Sequence, residues 1–309
     1  MSWGRCIGSL VGAAVGAVFA AGCAAPDEGV GGGGPQAHAE RFAVVTLSYD
    51  EAEEDPGHDA LNVQALFVEH AGVGEQVAVA LLNAPHEGLV DASIPLDGCV
   101  VEVRPAAALE PEEGVGRVTL LDAGEVFVEL PAGSVMLEGH YFPELYAAVG
   151  GLQYDGVLRD RAAFGSGPRV TVTADGSDEV GEFSVALAVP PVIHLQTIGG
   201  EPARRARRWA PDDGGLEVGW GPAAGGDGND VVMVQVVRQG FERVARARCA
   251  VVDDGQFVVP EAALAALADV GPEATERVVV ARVRTAPFAA AGMADGLVVA
   301  IARDAVVLD

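Results

Sequence analysis

The chain has 309 residues, 50% of them hydrophobic but only 6% aromatic, with 45 acidic side chains against 19 cationic ones and a formal charge of −26. Such a surface repels phosphate backbones and anionic headgroups, which excludes nucleic acid as a partner. All 19 cations are arginine, and with the abundant Ala, Gly and Val this reads as a GC-rich coding bias, so Ala or Gly runs carry little meaning alone.

The first elements are a leader and a tether. One cation, Arg5, precedes an apolar run from Ile7 to Ala21, and Cys23 follows. That run is shorter than the roughly 20 residues of a membrane span. Its layout predicts a secretory signal over residues 1–22. The stretch Ala20-Ala21-Gly22-Cys23 resembles a bacterial lipobox. The resemblance implies that Cys23 becomes the lipid-bearing N-terminus, anchored to a membrane of the cell envelope. Ala20 stands where a lipobox usually has Leu, so plain cleavage and secretion is the alternative. Loss of residues 1–22, which hold Arg5 and no acid, takes the charge to −27. Residues 23–40 are rich in Gly, Pro and Ala and predict a flexible tether.

From residue 41 the pattern is β-structure. Apolar residues alternate in "EVFVEL" (Val126, Val128, Leu130), "RVTVT" (Val170, Val172), "EFSVALAV" (Phe183, Val185, Leu187, Val189) and "LEVGW" (Leu216, Val218, Trp220). Period two means one buried and one wet face. "VVMVQVV" at 231–237 and "VVVARV" at 278–283 are more continuously apolar, as central strands are. Asp-Gly recurs at 97, 155, 175, 213, 227, 254 and 295, the dipeptide of tight hairpin turns. Helix is expected only at Pro260 to Val270, with Leu264 and Leu267 three apart, and for a turn or two at 143–149. Many short strands so punctuated predict antiparallel sandwiches. The length exceeds one sandwich of about 100 residues. A composition break near 195–215 then divides the chain into a first β-sandwich at 41–194, a linker at 195–211 and a second β-sandwich at 212–309.

The residues that carry chemistry form a short inventory. Besides Cys23, Cys99 and Cys249 remain after maturation, and outside the cytoplasm they either form a disulfide or stay as two buried small hydrophobes. His58, His70, His86, His140 and His194 are isolated, without the close ligand spacing of zinc motifs. "GGDGND", Gly225 to Asp230, fits one calcium β-roll repeat, but neither the nine residues before it nor those after repeat the pattern, so a metal-free turn is the expected reading. A calcium site using Asp227, Asn229 and Asp230, with the acidic run Asp50 to Asp59, is the sharper alternative. "ARRARR", with Arg204, Arg205, Arg207 and Arg208, is expected as a solvated loop. "FGSGP" puts Phe164 where a nucleophile elbow has Gly, so Ser166 lacks that setting. "HEGLV" at His86 stops short of a zinc-protease motif. His140, Tyr141 and Glu144 form the densest polar aromatic cluster, expected as ordinary packing at a strand end.

The order of elements in the second half, with Trp220 on an early strand, resembles a fibronectin type III or immunoglobulin-like sandwich. The whole resembles uncharacterised bacterial lipoproteins with tandem domains of that kind. The resemblance implies a non-catalytic envelope protein with no cofactor, held to the membrane through a lipid anchor and acting on a protein or glycan of the envelope. A calcium-dependent adhesion module and an extracellular hydrolase with an unrecognised site are the alternatives.

Overall fold

The period-two segments form strands. The structure, a computed structural model, describes residues 39–50, 61–72, 78, 94–105, 116–131, 133–145, 149–158, 167–206, 214–223, 230–271 and 273–308. In the first half the strands are β1 (Glu40–Asp50), β2 (Leu61–Ala71), β3 (Gly98–Pro105), β4 (Arg117–Leu120), β5 (Val126–Leu130), β6 (Gly133–Met136), β7 (Glu138–Leu145), β8 (Val149–Leu158), β9 (Arg169–Ala174) and β10 (Phe183–Ala188). The second half holds β11 (Leu195–Ile198), β12 (Glu201–Pro202), β13 (Leu216–Trp220), β14 (Val231–Gln239), β15 (Arg243–Val251), β16 (Gln256–Val259), β17 (Thr275–Phe288) and β18 (Asp295–Leu308). A short helix, α1 (Glu261–Ala265), lies between β16 and β17.

These strands make one ten-stranded sheet in the order β3-β15-β14-β17-β18-β1-β2-β4-β8-β7, and two four-stranded sheets, β10-β9-β5-β6 and β12-β11-β13-β16. The long strands β17 and β18 unite the large sheet, pairing antiparallel from Glu276 opposite Leu308 to Phe288 opposite Gly296. The first part of β18 also runs parallel to β1, Phe42 opposite Asp295. Each small sheet closes one core against the large one. Leu47, Phe67, Val126, Val128, Val170 and Tyr154 belong to the first core, with Val298 and Ala300 of β18. Val218, Trp220, Val234, Val236, Val278 and Leu264 belong to the second, with Val306 and Leu308 of the same strand. A third cluster, including Phe42, Val44, Leu66, Met233, Ala281 and Ile301, is buried on the opposite face of the large sheet. Burial on both faces explains the continuous apolar runs of β14 and β17, because alternation marks only strands with a wet side.

The chain is all-β, but it does not divide where its composition changes. Residues Ala37–Asp309 make one compact unit. β3, from the expected first domain, sits beside β15 of the expected second, and β1 pairs with β18. The expected linker contains β11 and β12 followed by a 3-10 turn at Ala203–Arg205, and β11 pairs with β13. The physical reason is strand length: fourteen residues in β17 and β18 are enough to serve both cores.

Local differences have equally local causes. The expected helix at 260–270 shortens to α1 and a 3-10 turn, burying Ala263, Leu264 and Leu267 against the second core. Residues 143–145, expected as helical, continue β7 instead; their ladder with β8 is irregular between Phe142 and Leu145, around Pro143 on an edge strand. Asp254 and Gly255 do form a turn, with Gly255 at φ 98°. Asp155 and Gly156 instead lie inside β8, where a Cβ on Gly156 would stand 2.7 Å from Leu137 Cδ2, so the glycine makes room for the residue at which the chain passes from β6 to β7.

Candidate functional site

Residues 278, 280, 282, 284, 286 and 288 share one face of β17, as period two requires. Val278 and Val280 lie in the second core, while Ala286 and Phe288 pack against the first. Arg282 and Arg284 therefore fall between the two cores. Arg282 is 1% exposed. Its Nε donates to Asp253 Oδ2 at 2.7 Å and its Nη2 to Asp253 Oδ1 at 3.1 Å. Nη1 donates to the carbonyls of Val192, at 2.7 Å, and Pro191, at 3.3 Å, and Nη2 also reaches the carbonyl of Gly221. Every N–H of this guanidinium is thus used, which is the condition for a cation to be stable in a dry setting.

Asp253 is held on its other side by Trp220 Nε1, at 2.8 Å, and by the Ala223 N–H, at 3.3 Å. Burial pushes its carboxyl up, but the hydrogen bonds from Arg282 and Trp220 outweigh burial and leave it below the ordinary carboxylate range. Next along the strand, Arg284 grips Asp230 with Nε and Nη2, at 2.6 and 2.8 Å, and donates to the Ala188 carbonyl at 3.3 Å. The Asp230 side chain is 5% exposed. The seam therefore ties β17 to the end of β10, to residues 191–192 and to the segments on either side of the Gly-rich loop.

This geometry bears on the calcium alternative. Asp230 faces a guanidinium in a two-point contact through both of its carboxylate oxygens. Asp227 and Asn229 lie outside the described residues, as does the acidic run after Asp50. Among the described residues no group of three or more His, Cys, Asp or Glu side chains is placed to hold a metal ion.

A second polar cluster sits at the rim of the first core. Tyr154 OH donates to Asp122 Oδ1 at 2.6 Å and accepts from the Ala123 N–H at 2.9 Å. Asp122 Oδ1 also accepts from the Gly124 N–H at 2.8 Å. Glu179 Oε2 accepts from the Asp122 N–H at 2.8 Å, and Ser177 Oγ donates to the Asp122 carbonyl at 2.6 Å. The Tyr154 bond, seconded by the Gly124 amide, holds the Asp122 carboxyl below its ordinary range. Burial, with Asp122 beside it, pushes the Tyr154 phenol above its ordinary range. These groups fasten the β4–β5 turn to the β9–β10 turn.

The remaining sequence candidates are placed as follows. Cys99 and Cys249 form a disulfide between β3 and β15, with Cα atoms 4.1 Å apart. The register that sets Arg243 opposite Pro105 puts the two cysteines directly opposite each other. Arg204 is exposed, as expected, but it is also paired: its Nη2 meets Asp304 Oδ1 at 2.9 Å, and Asp304 is 2% exposed and also accepts from the Leu195 N–H. Arg205 is exposed, and Arg207 and Arg208 lie outside the described residues. His140 stands 3.4 Å from Asp155 and 3.8 Å from Glu138 on the surface of β7, and Tyr141 beside it is 73% exposed. An open cavity of about 450 Å³ lies where β1 begins, lined by Glu40, Arg41, Phe42, His70 and Asp295 among others. His70 there is buried, tilted against Phe42, and 3.8 Å from Glu40. Cys23, His58, His86 and Ser166 fall outside the described residues.

Arg282, Arg284 and Asp253 were missed by sequence reasoning, although for the two arginines a signal existed. "VVVARVRT" places two arginines at alternate positions of an otherwise apolar strand, on the face that period two marks as buried. No protein-family model matches this chain, and no curated protein matches it significantly.

Proposed function

We propose that this chain is a lipid-anchored protein of the bacterial cell envelope that acts without catalysis, by binding or as a structural module. The observation that supports it most is the Cys99–Cys249 bridge, because disulfides persist outside the reducing cytoplasm. The bridge agrees with the leader and lipobox-like Ala20 to Cys23, on which Cys23 is the acylated residue. In further support, the polar clusters centred on Arg282 and Asp122 spend their hydrogen bonds on backbone and on each other, as fastening groups do. On this reading each core corresponds to one immunoglobulin- or fibronectin-III-like sandwich, with Trp220 as the early-strand core aromatic of the second, and the partner is a protein or glycan of the envelope. Fold alone names no ligand.

The test is the intact mass of the protein from its native membrane fraction, beside a Cys23→Ala variant. The expected result is a chain beginning at Cys23 with added acyl mass, absent from the variant. A soluble, unacylated product overturns the anchored reading in favour of free secretion.

A further inference from the structure

The path of the chain isolates one strand. β2 and β4 pair directly, Val68 opposite Leu120 and Ala71 opposite Arg117, although β3 lies between them in sequence. The departure and the return meet: a Cβ on Gly116 would stand 1.8 Å from the Ala71 carbonyl, and Gly72 turns at φ 78°. The portion β18-β1-β2-β4-β8-β7 is therefore complete without β3. At the far end of the sheet β3 has a single strand neighbour, β15.

β3 pairs antiparallel with β15, and Val100 packs against the third cluster. Asp97 N–H donates to the Ala250 carbonyl at 2.7 Å, Glu102 lies 3.8 Å from Arg248, and Cys99 and Val101 pack at the margin of the second core. The covalent tie is Cys99–Cys249. Cys249 is fully buried and Cys99 is partly buried at the margin of the second core, so attack in the exchange is assigned to Cys99. An edge strand joined to its neighbour by a covalent link escapes most of the entropy of docking, and it faces that cost again once the link is cut.

We propose that Cys99–Cys249 is a redox latch that holds β3 on the sheet: a dithiol reductant opens it and frees β3 from the β15 edge, while the other nine strands stay paired. A thiolate of the reductant attacks Cys99 Sγ and expels Cys249 as a thiolate, which takes a proton. The second thiol of the reductant then breaks the mixed disulfide, Cys99 leaves as a thiolate and is protonated, and the reductant departs as its own disulfide. Two electrons pass from the dithiol to the bridge. Opening bares the backbone of β15, a strand-accepting edge. The latch rests on topology and burial, so it stands whether or not the protein carries a lipid.

The experiment is amide hydrogen exchange on the full chain, oxidised and after treatment with a dithiol, with thiol content counted by alkylation and mass. A Cys99→Ala/Cys249→Ala variant without reductant serves as the second measurement. The expected result is exchange about tenfold or more faster over 98–105 in both the reduced protein and the variant, with β17 and β18 changing less than about twofold. Unchanged protection of β3 with both thiols free overturns the latch. So does loss of protection in all strands together, and so does a bridge that stays oxidised while the protein is folded.

Discussion

The seam between the cores and the rim of the first core are both built from hydrogen-bonded side chains, yet they use different chemistry. At the seam a full charge is buried: Arg282 is 1% exposed and balanced by Asp253. At the rim the buried partner is a neutral phenol, and Asp122 and Glu179 sit close to solvent. The difference follows from what each must hold. The rim links two turns of one sandwich, where water satisfies whatever the protein does not. The seam links two cores across half-buried carbonyls, and a planar donor with five N–H groups answers Val192, Pro191, Gly221 and Asp253 at once.

The largest effect is therefore expected at the seam. Arg282→Ala strands the Asp253 carboxylate and three carbonyls, and a loss of about 3–5 kcal/mol is predicted, measurable by urea unfolding. A loss under about 1 kcal/mol would show that the seam is wet and that the contrast is false. Asp230→Ala, which leaves Arg284 facing only the Ala188 carbonyl and its further contacts, is predicted to cost about 2–3 kcal/mol by the same measurement. On the calcium alternative the wild-type melting temperature would also rise with millimolar calcium and the variant's would not. On the present account neither responds.

Tyr154→Phe removes one hydroxyl between Asp122 and the Ala123 N–H, and about 1–2 kcal/mol is expected. The pH dependence separates the regions further. Asp253 and Asp122 have folded-state pKa values below their unfolded ones, so the stability they contribute is present above about pH 4 and is lost as pH falls through the folded values. Tyr154 is displaced the other way, so its contribution is whole below about pH 10 and is lost as pH rises through its folded value. An alkaline loss of stability that disappears in Tyr154→Phe, while the acid limb remains, is the expected pattern in thermal melts. Phe241, 99% exposed at the β14–β15 hairpin, lies outside both regions. Phe241→Ser is predicted to leave stability within about 0.5 kcal/mol, the smallest effect of the series.

Much of this fold was legible in the sequence and its assembly was not. Strict alternation located β5, β9, β10 and β13 to within a residue or two, since each has one face on a core. Composition misplaced the division of the chain, because nothing local says that β18 continues past Ala300 to serve a second core. The position of β3 beside β15 depends on a contact 150 residues away in sequence, beyond any period-based reading. Arg204 looked like one member of a charged run; its role depends on Asp304, and that pairing exists only once β18 lies beneath the turn. Asp230 was noticed as a member of a Gly-rich loop, and nothing local pointed to its partner Arg284, 54 residues further on.

The central claim is that two cores sharing β17 and β18 and locked by Arg282 behave as one cooperative body. Differential scanning calorimetry of the oxidised full-length protein tests it most directly. One transition with matching calorimetric and van't Hoff enthalpies is predicted, giving way to a broadened or split transition in Arg282→Ala. Two separate transitions in the wild-type protein would contradict the account and restore two independent domains.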